Sequence, residues 1–231
     1  MIYGYENILT IVLSIIAVAI VGYAQAKINS AYGKYKKIKS TSNLTGKDVA
    51  RRILDSNGLS NIKVIQTHGE LTDHYDPSKK TVNLSTSIFT DTTIASIAVA
   101  AHECGHALQD KDNYTFMKIR AALVPIVNLV TYLGYFSIII SLLAGITGYL
   151  KLGITIIGVT LLFQIITLPV EFNASNRAKK ELTKLGIITK DEYKGVDKML
   201  DAAANTYVAS VLSSIINLLR LIIMLGNRRD D

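Results

Sequence analysis

What most limits the fold of this chain is a set of four long stretches without charged side chains: 7–26, 121–150, 152–170 and 202–219, the last continuing past Arg220 to 225. A hydrocarbon core takes about 20 helical residues, and the first three stretches meet or nearly meet that length. The chain therefore reads as a mainly α-helical, multi-pass protein of the cell membrane. The fourth stretch is open. If it spans, Arg220 sits in the bilayer at a cost of about 2.5–3.5 kcal/mol, and Arg228 and Arg229 end outside, against the positive-inside bias. An interfacial helix avoids both. Three to four transmembrane helices are expected.

The first stretch imitates a signal peptide, since Ala24-Gln25-Ala26 is cleavage-like. It is nevertheless longer than a signal core, and Glu6 rather than a basic cluster precedes it. Lys27, Lys34, Lys36, Lys37 and Lys39 follow it, which places that end in the cytoplasm and the N-terminus outside. The net charge of +7 has no aromatic-basic interleaving or nucleic-acid motif beside it, so nucleic acid is not expected as a partner. The lysines suit a juxtamembrane patch on anionic lipid. Cys104 is the only cysteine, so no intrachain disulfide can form.

Between the first two stretches the pattern becomes that of a soluble scaffold. Thr45 can cap an amphipathic helix that buries Val49, Ile53 and Leu54 and stops at Gly58. Short strands follow, Ile62–Gln66, Leu71–Tyr75 and Thr81–Ser85, with turns at His68-Gly69-Glu70 and at 76–80. They predict a small antiparallel sheet whose last strand offers an edge to an extended peptide.

A helix from Thr90 or Asp91 to about Asp110 comes next, buried through Ile94, Ile97, Ala98, Ala101, Gly105 and Leu108. It carries His102-Glu103-Cys104-Gly105-His106, the H-E-x-x-H sequence. Residues i and i+4 share a helix face, so both imidazoles can converge on one ion, while Glu103 stands at the rim as a base for water activated by that ion. Gly105 in mid-helix suggests close approach of another backbone. Cys104 reads as a small buried side chain.

A catalytic zinc takes three protein ligands and an open position, so one ligand is still to be found. His68 and His74 are upstream; Glu171, Glu181 and Glu192 are downstream; no histidine follows at the metzincin spacing. The stretches from 124 to 150 and from 152 to 170 should form a hairpin turning at about 148–153. It returns the chain to the side it left. Glu171, the first charge after it, is thereby brought to the side of His102 and His106, at the start of a helix ending at Gly186. Thr189 to Glu192 forms a capping box that opens another helix, to about Ala204.

Four motifs, Ala101–Ala107, Leu168–Ser175, Leu71–Pro77 and Thr206-Tyr207-Val208-Ala209, resemble those of the YugP-like membrane zinc metallopeptidases, a likeness covering nearly the whole chain. More distantly the layout is similar to the HtpX-like and CAAX prenyl proteases. The resemblance implies a helical, gluzincin-like fold with one Zn2+ per chain, held by His102, His106 and Glu171. It also implies hydrolysis of a polypeptide substrate in or near the membrane at the cytosolic face. In the HtpX-like pattern an aspartate four residues past the glutamate orients a ligand histidine; here that position is Ser175.

In this reading Glu103 moves the proton. Tyr207 is the expected oxyanion partner, ahead of His74 and Arg177. The segments are then an N-terminal span (1–26), a cytosolic peptidase part (27–123), a hairpin (124–170), cytosolic helices (171–206) and a C-terminal apolar helix (207–231). The rival reading is an inactive scaffold or regulator with a structural or vestigial zinc site. A metal transporter would want more ionisable groups within its spans.

Overall fold

A computed structural model of the chain describes residues 2–143 and 149–227. Its elements in order are α1 (Ile2–Tyr35), α2 (Gly46–Ser56), β1 (Lys63–Thr67), β2 (His74–Asp76), β3 (Thr81–Ser85), α3 (Thr86–Thr90), α4 (Ile94–Lys111), α5 (Thr115–Leu143), α6 (Tyr149–Lys184) and α7 (Lys190–Asn227). The protein is mainly helical. Two compact units arise from these elements: Met1–Gln25, Ile119–Leu168 and Thr206–Asp231 make an apolar unit, and Ala26–Lys118 with Pro169–Asn205 make a second.

Among the described residues, four helices contain segments long and apolar enough to cross a membrane: Ile8–Tyr35, Thr115–Ser137, Lys151–Lys184 and Lys190–Gly226. The expected break after Ala204 is absent, because α7 runs unbroken from the capping box through the last apolar stretch. Likewise Glu171 does not open a helix. It lies inside α6, which continues from the apolar stretch to Lys184. The expected turn at 148–153 is only partly visible, since 149–153 are already helical and 144–148 lie outside the described residues, as do Arg228 and Arg229. In the apolar unit, Gly134 on α5 makes room for Ile156 on α6; a Cβ there would come within 2.2 Å of the isoleucine's Cδ1. Val18, Tyr132, Phe136 and Leu162 point outward, as lipid-facing side chains must.

The second unit is built by local rules. Thr45 and Asp48 form a reciprocal capping box at the start of α2, and Thr189 and Glu192 do the same for α7. Both α2 and α6 end in Schellman motifs. Gly58 and Gly186 take positive φ of 70° and 63°, and Leu59 and Ile187 donate back to Leu54 and Leu182. Helix α4 starts later than expected, capped by Thr93 rather than Thr90 or Asp91, because the short α3 occupies 86–90.

The sheet is mixed, not antiparallel. Its order is β1-β3-β2, with β2 antiparallel and β1 parallel to β3. Only β3 is buried on both faces, so it takes the centre, while the three-residue β2 is left at an edge. The exposed edges therefore belong to β1 and β2, not to the strand preceding α3. Strand β3, α2 and α4 surround a core that includes Ile53, Leu54, Leu84, Ile88 and Ile97.

Candidate metal centre

Helix α4 buries one face through alanines and isoleucines, and that packing fixes the direction of its histidines. The rings of His102 and His106 lie 4.8 Å apart at 86°, and both Nε2 atoms face Glu171 Oε2 on α6, at 3.3 Å and 3.7 Å. Among the described residues these three form a group able to hold a metal ion, with donor atoms all within 4.8 Å of one another. Tetrahedral coordination at about 2.0–2.1 Å separates donors by roughly 3.4 Å, so the histidine-to-glutamate spacings fit zinc. Glu171 is 2% exposed and His106 7%.

The close approach rests on Gly105. A Cβ there would meet the Ala174 carbonyl oxygen at 2.4 Å, so only glycine lets α6 lie against α4 at this point. The mid-helix glycine pointed to such a contact.

Gln109, which the sequence reading did not select, sets the chemistry of His106. Its Nε2 donates to the Val170 carbonyl at 2.7 Å and to Asn173 Oδ1 at 3.0 Å. The amide oxygen is thus left for His106 Nδ1, 3.0 Å away, which must carry the proton. The Nε2 lone pair then points toward Glu171, as a metal ligand's must. Ser175 Oγ lies 3.2 Å from His102 Nδ1 and has the same relation to the other ring. The available signal for Gln109 was its place three residues after His106, one helical turn on.

Burial alone would lower the His106 pKa. The Glu171 hydrogen bond, the charges of Glu103 and Glu171, and the Gln109 hydrogen bond outweigh it and hold the pKa above its ordinary value. Glu103 is 8% exposed and stands outside the three-residue group. Burial pushes the Cys104 thiol pKa up, and its Sγ faces the Ala50 carbonyl, which suits a packing role.

The other candidates are elsewhere. His68 and His74 are exposed, and His74 Nδ1 is 2.8 Å from the Thr72 carbonyl oxygen. Glu181 accepts from Asn57, and Glu192 from Thr41. Arg177 donates to Asn173 and pairs with Asp112. Tyr207 falls in the apolar unit, 37% exposed.

Residues 10–226 match the family model described as "Putative neutral zinc metallopeptidase". The chain belongs to this family. It is also 42% identical over 223 residues to the "Putative membrane protease YugP" of Bacillus subtilis (strain 168), a match covering 96% of this chain and 99% of that protein. No solved structure matches it. Membership in the neutral zinc metallopeptidase family agrees with the donor set, since two imidazoles and one carboxylate are one of the three-ligand sets that catalytic zinc uses.

Proposed function

We propose that the chain is a membrane-embedded zinc endopeptidase that cleaves membrane or membrane-proximal polypeptides at the cytosolic face. His102, His106 and Glu171 hold one zinc per chain, and Glu103 is the general base. The observation that carries this reading is the meeting of Glu171 Oε2 with both histidine Nε2 atoms, from two helices far apart in sequence. Zinc held there supplies Lewis acidity and an acidified water.

The chain's own residues do the rest. Gln109 and Ser175 hold the imidazoles in their ligating orientation. Glu103 takes a proton from the attacking water and hands it to the leaving amine. The lysines from Lys27 to Lys39 support the cytosolic placement.

Purified protein should contain one zinc per chain. Glu103→Gln should keep that metal and lose cleavage of an unfolded membrane-protein substrate, whereas Glu171→Ala should lose the metal. An inactive scaffold needs no carboxylate at 103, so cleavage undiminished in Glu103→Gln overturns the mechanism. Full zinc occupancy in Glu171→Ala overturns the ligand set.

A further inference from the structure

The apolar unit contains a cavity of about 540 Å³, whose polar lining includes Thr10, Ser14, Tyr135 and Arg220. Its size falls within the roughly 300–1,000 Å³ common for small-molecule sites. None of its lining residues belongs to the metal centre.

Arg220 gives this cavity its chemistry. Nη1 donates to Ser14 Oγ at 2.6 Å, and Ser14 in turn donates to the Thr10 carbonyl at 2.7 Å. The serine thereby fixes the guanidinium and has no proton left for a ligand. Arg220 Nε is buried, and among the described residues no acceptor reaches it. With Nη1 taken and Nε closed off from the cavity, Nη2 is the donor left to an oxyanion there.

An arginine within a transmembrane stretch calls for a counter-charge. The bilayer's own phosphates are such counter-charges, and long arginine side chains extend toward the headgroup level where they lie. Ile11, Ile157, Leu221 and Met224 supply an apolar wall suited to an acyl chain.

We propose that this cavity is a phospholipid site, in which Arg220 Nη2 donates to the lipid phosphate and an acyl chain lies against the apolar wall. Charge complementarity selects this occupant, because among the described residues of the lining Arg220 is the only formal charge. The lipid would bind through its phosphate, not through its chains alone.

The test uses the full chain in a nonionic detergent, titrated with phosphatidylglycerol, with diacylglycerol of the same chains, and with oleate. Binding is read by native mass spectrometry and thermal unfolding. Wild type should bind one phosphatidylglycerol saturably and diacylglycerol at least about tenfold more weakly, and Arg220→Gln should lose phosphatidylglycerol affinity by a similar factor. Arg220→Lys should fall between, having the charge but not the guanidinium that Ser14 fixes. Ile157→Trp, which fills the apolar wall and leaves the guanidinium intact, should also lose the lipid. Equal phosphatidylglycerol affinity in wild type and Arg220→Gln, diacylglycerol binding as well as phosphatidylglycerol, or saturable binding of oleate alone would each overturn the proposal.

Discussion

The Ala174 carbonyl oxygen lies where a side chain on Gly105 would have to go: a Cβ would stand 2.4 Å from it and 3.0 Å from the Ala174 carbonyl carbon and Cα. Both sides of this contact are backbone, so no rotamer change relieves it. Gly105→Ala should therefore destabilise the protein by about 1–3 kcal/mol despite alanine's better helix propensity, and should lower zinc content by separating Glu171 from the histidines. Thermal unfolding and metal analysis of the purified variant check this. An unchanged midpoint with full zinc would mean that the two helices do not meet so closely.

Gln109 is buried, donates both of its amide protons and accepts from His106 with its oxygen. Gln109→Leu keeps the volume but leaves the Val170 carbonyl without this donor and frees His106 to adopt the wrong tautomer. Zinc affinity should fall by about 10- to 100-fold, the usual effect of removing a group that orients a ligand. Competition with a chromogenic chelator measures it. Wild-type affinity would show that the helix alone orients His106.

Ser175 stands where a carboxylate would place full charge against His102 Nδ1. Zinc affinity should rank Ser175→Asp above wild type and wild type above Ser175→Ala, because hydrogen bonding to the ring increases ligand basicity and a charged acceptor increases it more. The same chelator competition gives the order. A Ser175→Ala value equal to wild type would remove the serine from the site's support.

At the far end of α4, Asp110 accepts from Tyr75 at 2.6 Å and pairs with Lys80. Burial raises its pKa, but the hydrogen bonds from Lys80 and Tyr75 and the lysine charges outweigh this and hold it below the ordinary value. A carboxyl more acidic folded than unfolded stabilises the fold above its unfolded pKa, and the contribution disappears as pH falls through the folded pKa. Wild type should therefore lose more thermal stability than Asp110→Asn between neutral pH and about pH 3. Parallel acid-side losses in the two proteins would contradict the pairing.

Much of the architecture was legible because its causes are local. Thr45, Gly58, Gly186 and Glu192 mark helix ends through interactions within a few residues, and the apolar stretches coincide with helices because a run free of charge needs no partner to be recognised. The order of the strands was not legible. Pairing β1 parallel to β3 depends on which strand can be buried on both faces, which follows from what packs on the sheet and not from alternation within one strand.

For the candidate site, the sequence by itself determined the pair His102 and His106, because four residues on a helix place two side chains on one face. Its expected hairpin also favoured Glu171 over Glu181 and Glu192, as the first charge returned to the side of the histidines. Only the tertiary structure decided that this carboxylate faces both rings. Glu181 is engaged by Asn57 and Glu192 by Thr41, while Gly105 lets α6 come close enough for Glu171 to reach both rings. A carboxylate's identity is written in the chain, but the imidazoles it meets are set by how tightly two helices can pack.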